Sequence, residues 1–155
     1  PATDHVPQRQ SRRLAGGWAP DKEPGDRLVI DANGWRVWVP YAPTFPVALN
    51  VAPTDHRPDL PSLSDGERDA FAATLVDVFS RLDRLYDRPI PYMMWLNQRP
   101  TVTDGFDDVW FNIEIVSPWR SAGVQRFIAA AEVACEEFFN PVIPEDLAER
   151  LRSLG

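Results

Sequence analysis

An α+β fold, with an antiparallel sheet and helices packed on one face, is what this chain of 155 residues predicts. The evidence is two apolar runs joined by Asn33-Gly34, a strictly alternating run from Trp110 to Val116, and apolar residues at three- and four-residue spacing from Phe71 to Tyr86. Asn-Gly tolerates the positive φ of a type I′ hairpin turn, period-two alternation marks a half-buried strand, and the longer period marks a helix with one buried stripe. At 44% hydrophobic content the chain holds one domain with a sizeable core.

Residues 1 to about 24 contain Pro7, Gly16, Gly17, Pro20 and Pro24 without apolar periodicity and read as a flexible arm or linker, leaving 25–155 as the domain. Leu28-Val29-Ile30 and the run from Trp35 to Val39 form the hairpin. A third strand, about Phe45 to Ala52, follows the turn between Pro40 and Pro46, and Pro53, Pro58 and Pro61 end regular pairing. Ser64-Asp65-Gly66-Glu67 is a capping box, in which the serine accepts from an early helix amide and Glu67 reaches back to the cap amide. The helix it opens carries Phe71, Leu75, Val78, Phe79, Leu82, Leu85 and Tyr86 on one stripe and ends near Asp87-Arg88-Pro89.

Two further strands flank the turn-rich Thr103-Asp104-Gly105, one within the run from Tyr92 to Pro100 and one from Trp110 to Val116. The later strand places Phe111, Ile113 and Ile115 on one face and Trp110, Asn112 and Glu114 on the other. A second helix is expected from about Gly123 to Phe139, with Val124, Phe127, Ile128, Ala131, Cys135 and Phe138 inward. Pro144 suits the first position of a third helix, with Glu145 and Asp146 near its positive end. Helices then cover one face of the sheet and leave the other available.

Net charge is −7, and the basic residues, all arginine except Lys22, are scattered rather than gathered into a stripe. That argues against nucleic acid or an anionic membrane as partner and favours small molecules or another protein. Cys135 is the only cysteine, which excludes an internal disulfide and a multi-cysteine zinc site and fits a reducing compartment, the cytoplasm by default. No apolar run approaches the roughly 20 residues a membrane helix needs, so a soluble protein is expected. The chain starts at Pro1 without a methionine, which leaves processing, trimming or a missing preceding segment open.

From about Gly25 onward, several strings occur in a telling order: Trp38-Val39-Pro40-Tyr41, Pro53-Thr54-Asp55-His56, Leu63-Ser64-Asp65-Gly66-Glu67-Arg68 and Pro91-Tyr92-Met93-Met94. They continue with Gln98-Arg99-Pro100, the run from Arg120 to Phe127, and the run from Pro144 to Leu151. In this order and spacing the chain resembles the C-terminal domain of galactose-1-phosphate uridylyltransferases, within the histidine-triad superfamily, which implies a histidine-triad-like sheet. The resemblance also implies a second, N-terminal half whose histidine takes the uridylyl group from UDP-glucose and passes it to a hexose 1-phosphate. This chain lacks the alternating histidine–proline run that holds such a nucleophile. Its histidines are His5, in the arm, and His56, in a proline-rich loop where a loop-pinning role competes with that of a phosphate neighbour.

No catalytic residue is therefore assigned, and the chain alone is expected to be inactive. The expected function is that of the C-terminal half or subunit of a UDP-glucose–hexose-1-phosphate uridylyltransferase, completed by a histidine-bearing N-terminal half, as a homodimer or heterotetramer. The alternatives are a catalytically inactive module that binds a nucleotide sugar or scaffolds a partner, and a domain of a related nucleotidyltransferase or phosphorylase.

The resemblance maps hexose recognition onto Arg126, as a donor to the sugar phosphate, and Glu132, as an acceptor of sugar hydroxyls, against the alternative of a solvated ion pair. An aromatic of the family is replaced by Ala131 and an amide position falls near Phe138, so Asn140 is the candidate for the missing amide. Family members often bind a structural metal through histidines near Asn97 and the Trp110/Asn112 face. Amide oxygens are poor ligands for zinc or iron, so neither a metal nor another cofactor is expected. Asn97, Gln98, Asn112 and Glu114 form instead a hydrogen-bonded network, with Asn97 and Asn112 as alternative substrate contacts. Cys135 is expected in the core, and of Trp35, Trp38, Trp95, Trp110 and Trp119 at least one is expected at an interface.

Overall fold

The computed structural model describes residues 18–101, 106 and 108–155. His5, most of the expected arm and the Thr103-Asp104-Gly105 turn lie outside the described residues. One antiparallel sheet has the strand order β1-β2-β3-β5-β4, with β1 Leu28–Ala32, β2 Trp35–Trp38, β3 Val47–Pro53, β4 Met93–Asn97 and β5 Asn112–Ser117. The β1–β2 turn places Asn33 at φ 54° and Gly34 at φ 79°, the backbone that Asn-Gly was expected to supply. Between β3 and β4 lies α1, Asp65–Arg84, and the chain ends with α3, Pro144–Ser153. The capping box forms as read: Ser64 Oγ accepts from the Glu67 amide at 3.3 Å, and Glu67 Oε2 accepts from the Ser64 amide at 2.7 Å.

Alternation sorts the sheet's two faces. Val37 pairs with Val51, Val51 with Ile113, and Leu49 with Ile115, so one face presents an apolar block to the helices. Val78 and Leu82 of α1 and Leu147 and Leu151 of α3 meet it in a single core that also holds Trp35 and Phe111. Each such side chain contributes roughly 1.5–3 kcal/mol on burial, before conformational entropy is set against it. The opposite face carries Trp38, Ala48, Ala52 and Val116, which are buried as well, and Trp18 stacks on Trp38 with ring centroids 6.2 Å apart. That face is therefore partly covered at its β2–β3 end. It opens toward β4, whose outer edge has no strand partner among the described residues and whose Met93, Met94, Trp95 and Leu96 are all exposed.

The expected helix from Gly123 to Phe139 is the main departure. In its place stand a small hairpin, β6 Trp119–Ser121 and β7 Val124–Gln125, and one short helix, α2 Ala130–Cys135. Gly123, at φ 71°, makes the hairpin turn, and Glu136, at φ 57°, stops α2 in the left-handed region. The expected inward stripe faces outward: Val124, Phe127, Ile128 and Phe138 are exposed, and so is Cys135. Cys135 is thus not a core residue. The buried member of the segment is Glu132, and its hydrogen bonds, not an apolar stripe, set the local path. No helix among the described residues is long and apolar enough to cross a membrane.

Candidate functional site

Strand alternation in β6 turns Trp119 inward, toward Tyr86 at 6.4 Å between ring centroids, and leaves Arg120 exposed on the other side. After β7 the chain runs past Arg126, which is held back toward the sheet by the Arg126 amide bond to the Pro118 carbonyl at 2.8 Å. The Arg126 guanidinium donates to both oxygens of Glu132, Nη1 to Oε1 and Nη2 to Oε2, each at 2.7 Å, and sits over the Phe45 ring. This is the bidentate fork that planar guanidinium and carboxylate favour. The Glu132 side chain is 3% exposed and that of Arg126 is 11% exposed, so the pair is desolvated rather than a solvated surface bridge.

Glu132 also accepts from the Ala129 amide at 3.2 Å through Oε2 and from the Phe139 amide at 3.0 Å through Oε1. Each carboxylate oxygen therefore has two donors, which fills the acceptor capacity of the group. The Arg126 bonds, followed by the Phe139 amide, hold the Glu132 carboxyl below its ordinary range despite the cost of burial. Asn140 is fixed at both ends of its amide, donating to the Phe45 carbonyl at 3.0 Å and accepting from the Val142 amide at 2.9 Å.

These bonds frame a cleft of about 350 Å³ lined by Arg120, Arg126, Phe127, Phe139, Asn140 and Pro141. Arg126, Glu132 and Asn140, separately singled out in the sequence, are thus brought to one place. Arg120 joins them, marked in the sequence only as the first residue of a family-like string and given no role there. Two arginines, two exposed phenylalanines and no lining carboxylate among the described residues suit an anionic ligand with an apolar or sugar face.

Asn97 and Asn112 lie elsewhere, paired across β4 and β5. Asn97 Nδ2 donates to Asn112 Oδ1 at 2.9 Å and to Glu114 Oε1 at 3.2 Å, while Asn112 Nδ2 donates to the Trp110 carbonyl at 3.0 Å. Turning the Asn97 amide over would set its oxygen against those two acceptors, so donation is its required role. A metal needs lone pairs where Asn97 presents N–H groups, and no cluster of histidine, cysteine or carboxylate suited to a metal occurs among the described residues. The residues present do not fit the structural metal that the family resemblance suggests. Gln98 belongs to a neighbouring contact, accepting from the Leu60 amide at 3.4 Å.

His56 donates from Nε2 to the Val109 carbonyl at 3.0 Å and packs edge-on against Trp110, so the ring pins two loops together. Trp110 in turn donates to the Pro53 carbonyl, and Trp35, fully buried, donates to the Glu67 carbonyl.

A sequence model of the family "Galactose-1-phosphate uridyl transferase, C-terminal domain" matches residues 11–155. The chain belongs to this family. A galactose-1-phosphate uridylyltransferase of Thermotoga maritima is 30% identical over 133 residues, covering 85% of this chain and 42% of the relative. The counterpart from Rattus norvegicus is 32% identical, covering 83% of this chain and 35% of the relative. A solved uridylyltransferase structure superposes with a TM-score of 0.75 at 28% identity, covering 84% of this chain and 41% of that one. The uridyl transferase C-terminal domain described here therefore spans about two fifths of the length of these relatives. At the level of fold alone, a histidine triad nucleotide-binding protein of Sulfolobus tokodaii superposes with a TM-score of 0.58 at 11% identity, covering 83% of this chain and 82% of that one. The histidine-triad-like antiparallel sheet is thereby established.

Proposed function

We propose that this domain is the C-terminal half of a UDP-glucose–hexose-1-phosphate uridylyltransferase and supplies the hexose-phosphate wall of an active site. The nucleophilic histidine comes from a partner N-terminal half, and the cytoplasm is the compartment that suits its lone cysteine. The observation that carries the reading is the desolvated Arg126–Glu132 pair at the margin of an arginine-lined cleft, in the segment that the family resemblance assigns to hexose recognition. Because the Glu132 carboxylate is occupied by its own chain, its contribution is to position: it fixes Arg126 and the Phe139 amide, and with Asn140 it sets the shape of the wall. Asn97 and Asn112 stiffen the strand pair that leads to β4, whose exposed Met93 to Leu96 edge, with Trp95, is the surface offered to the partner half.

His56 is not the nucleophile in this reading, since its Nε2 is spent on the Val109 carbonyl. The test is co-expression with a candidate partner that bears alternating histidines and prolines, followed by uridylyl exchange between UDP-glucose and hexose 1-phosphate. Association and exchange that require both chains are expected. Glu132→Gln should weaken hexose 1-phosphate recognition while leaving UDP-glucose cleavage measurable. Two chains that neither associate nor exchange uridylyl groups would sink the divided enzyme and leave the inactive binding module.

A further inference from the structure

Within the cleft the two arginines are not equivalent. Arg126 has three of its five N–H bonds committed, two to Glu132 and one to the Phe139 carbonyl at 3.2 Å, and its charge is balanced at contact distance by a buried carboxylate. Its two remaining N–H groups could meet a phosphate only beside a carboxylate that already neutralises the guanidinium, and turning the fork onto the phosphate would leave Glu132 buried without a counter-charge. Arg120 lines the same cleft, is exposed, and has no hydrogen bond, ion pair or ring contact among the described residues. Its neighbour Trp119 is anchored inward and is covered by Arg88, whose guanidinium lies 5.4 Å over the indole ring, so the strand that carries Arg120 is held in place while its guanidinium stays uncommitted.

We infer that Arg120, and not Arg126, is the residue that receives the phosphate of the ligand, while the Arg126–Glu132 pair holds the cleft in shape. The inference rests on the hexose-phosphate reading above for the identity of the ligand, but not for the choice between the arginines. An uncommitted guanidinium can turn its whole fork to a phosphate with its charge unbalanced, whereas Arg126 has only two N–H groups left and offers them beside a carboxylate that repels the anion. Phe127 and Phe139, exposed on the cleft wall, supply the apolar surface against which the body of a sugar can pack.

The test has two arms on the purified full chain. In the first, arginine Nε–H resonances, assigned by their loss in Arg120→Gln and Arg126→Gln, are followed during titration with inorganic phosphate. The Arg120 signal is expected to shift and saturate while that of Arg126 holds still. A shift of Arg126 instead, or of neither, overturns the assignment. In the second, calorimetry compares galactose 1-phosphate with free galactose for the wild type, Arg120→Gln and Arg120→Lys. Arg120→Gln is expected to weaken the phosphorylated sugar roughly tenfold, with partial recovery in Arg120→Lys, which keeps the charge but not the fork. Equal affinities for wild type and Arg120→Gln would also overturn it. If galactose 1-phosphate binds no better than inorganic phosphate while the Arg120 signal still shifts, the hexose reading falls and the anion site at Arg120 stands.

Discussion

In the core, Val37, Val51 and Ile113 form one row across three strands, and a large apolar cluster is buried with them. Between Trp119 and Ile143 the arrangement is inverted. There the buried group is a carboxylate, and Phe127, Ile128, Val133, Phe138 and Ile143 are at the surface. The first region is held by non-directional burial spread over many side chains. The second is held by a few directional bonds that converge on Glu132. A domain can therefore keep its fold while its site segment is unmade, and the two should fail separately.

The largest expected effect tests the core side of that contrast. Leu82→Ala removes a side chain that is 1% exposed and should cost about 2–5 kcal/mol of global stability, read as a lower urea midpoint. On the proposed hexose-phosphate reading, protein that remains folded should bind that ligand as the wild type does. Loss of binding at an unchanged midpoint would break the separation. Next in size is Arg126→Met, which strands the Glu132 carboxylate. Amide exchange at Ala129 and Phe139 should rise by roughly tenfold or more, with little change in the β3 and β5 amides. A midpoint lowered as far as in Leu82→Ala would show that the segment and the core are one cooperative unit.

The same contrast explains what was legible beforehand. Hairpin, capping box, long helix and the final proline-led helix rest on local backbone chemistry and apolar period, both of which are written into neighbouring residues. The expected helix from Gly123 to Phe139 failed because Val124, Phe127, Ile128 and Phe138 mimic a buried stripe while Glu132, read as an acceptor of sugar hydroxyls, is the residue that goes inside. Periodicity counts apolar residues and is blind to a carboxylate that finds four donors. Of the site, Arg126, Glu132 and Asn140 were reachable through family resemblance and converge on one cleft. The role of Arg120 was not, since its value lies in having no side-chain partner among the described residues, a property that exists only once the chain is folded.

Asn97 offers a smaller and sharper probe, because it joins β4 to β5 by side-chain bonds in addition to the strand ladder. Asn97→Ala should cost about 1–2 kcal/mol, since it leaves the Asn112 and Glu114 acceptors without that donor. Exchange should accelerate in β4 first, on the strand proposed to meet the partner half. Asn97→Asp should be worse, because it sets a second carboxylate against Glu114. An Asn97→Asp variant as stable as wild type at neutral pH would show that the network does not tie the strands.

The smallest effect concerns acid. Hydrogen bonds from the Ser64 hydroxyl and amide, with help from Arg57, depress the Glu67 carboxyl from 4.5 to about 2. A depressed carboxylate contributes its full stabilisation above the unfolded value and loses it as pH falls toward the folded one, here between about 4.5 and about 2. Asp59 acts in the same sense, since burial raises it but the Ser62 amide and Arg99 outweigh that cost. Glu67→Gln should therefore shallow the fall in thermal midpoint across that window without abolishing it, because Asp59 and Glu132 still titrate with depressed values. Wild type and Glu67→Gln with parallel midpoint curves would show that the capping box adds nothing pH-dependent. Opening of the Ala129 and Phe139 amides before α1 in the same titration would place the acid-labile point at Glu132, on the polar side of the molecule.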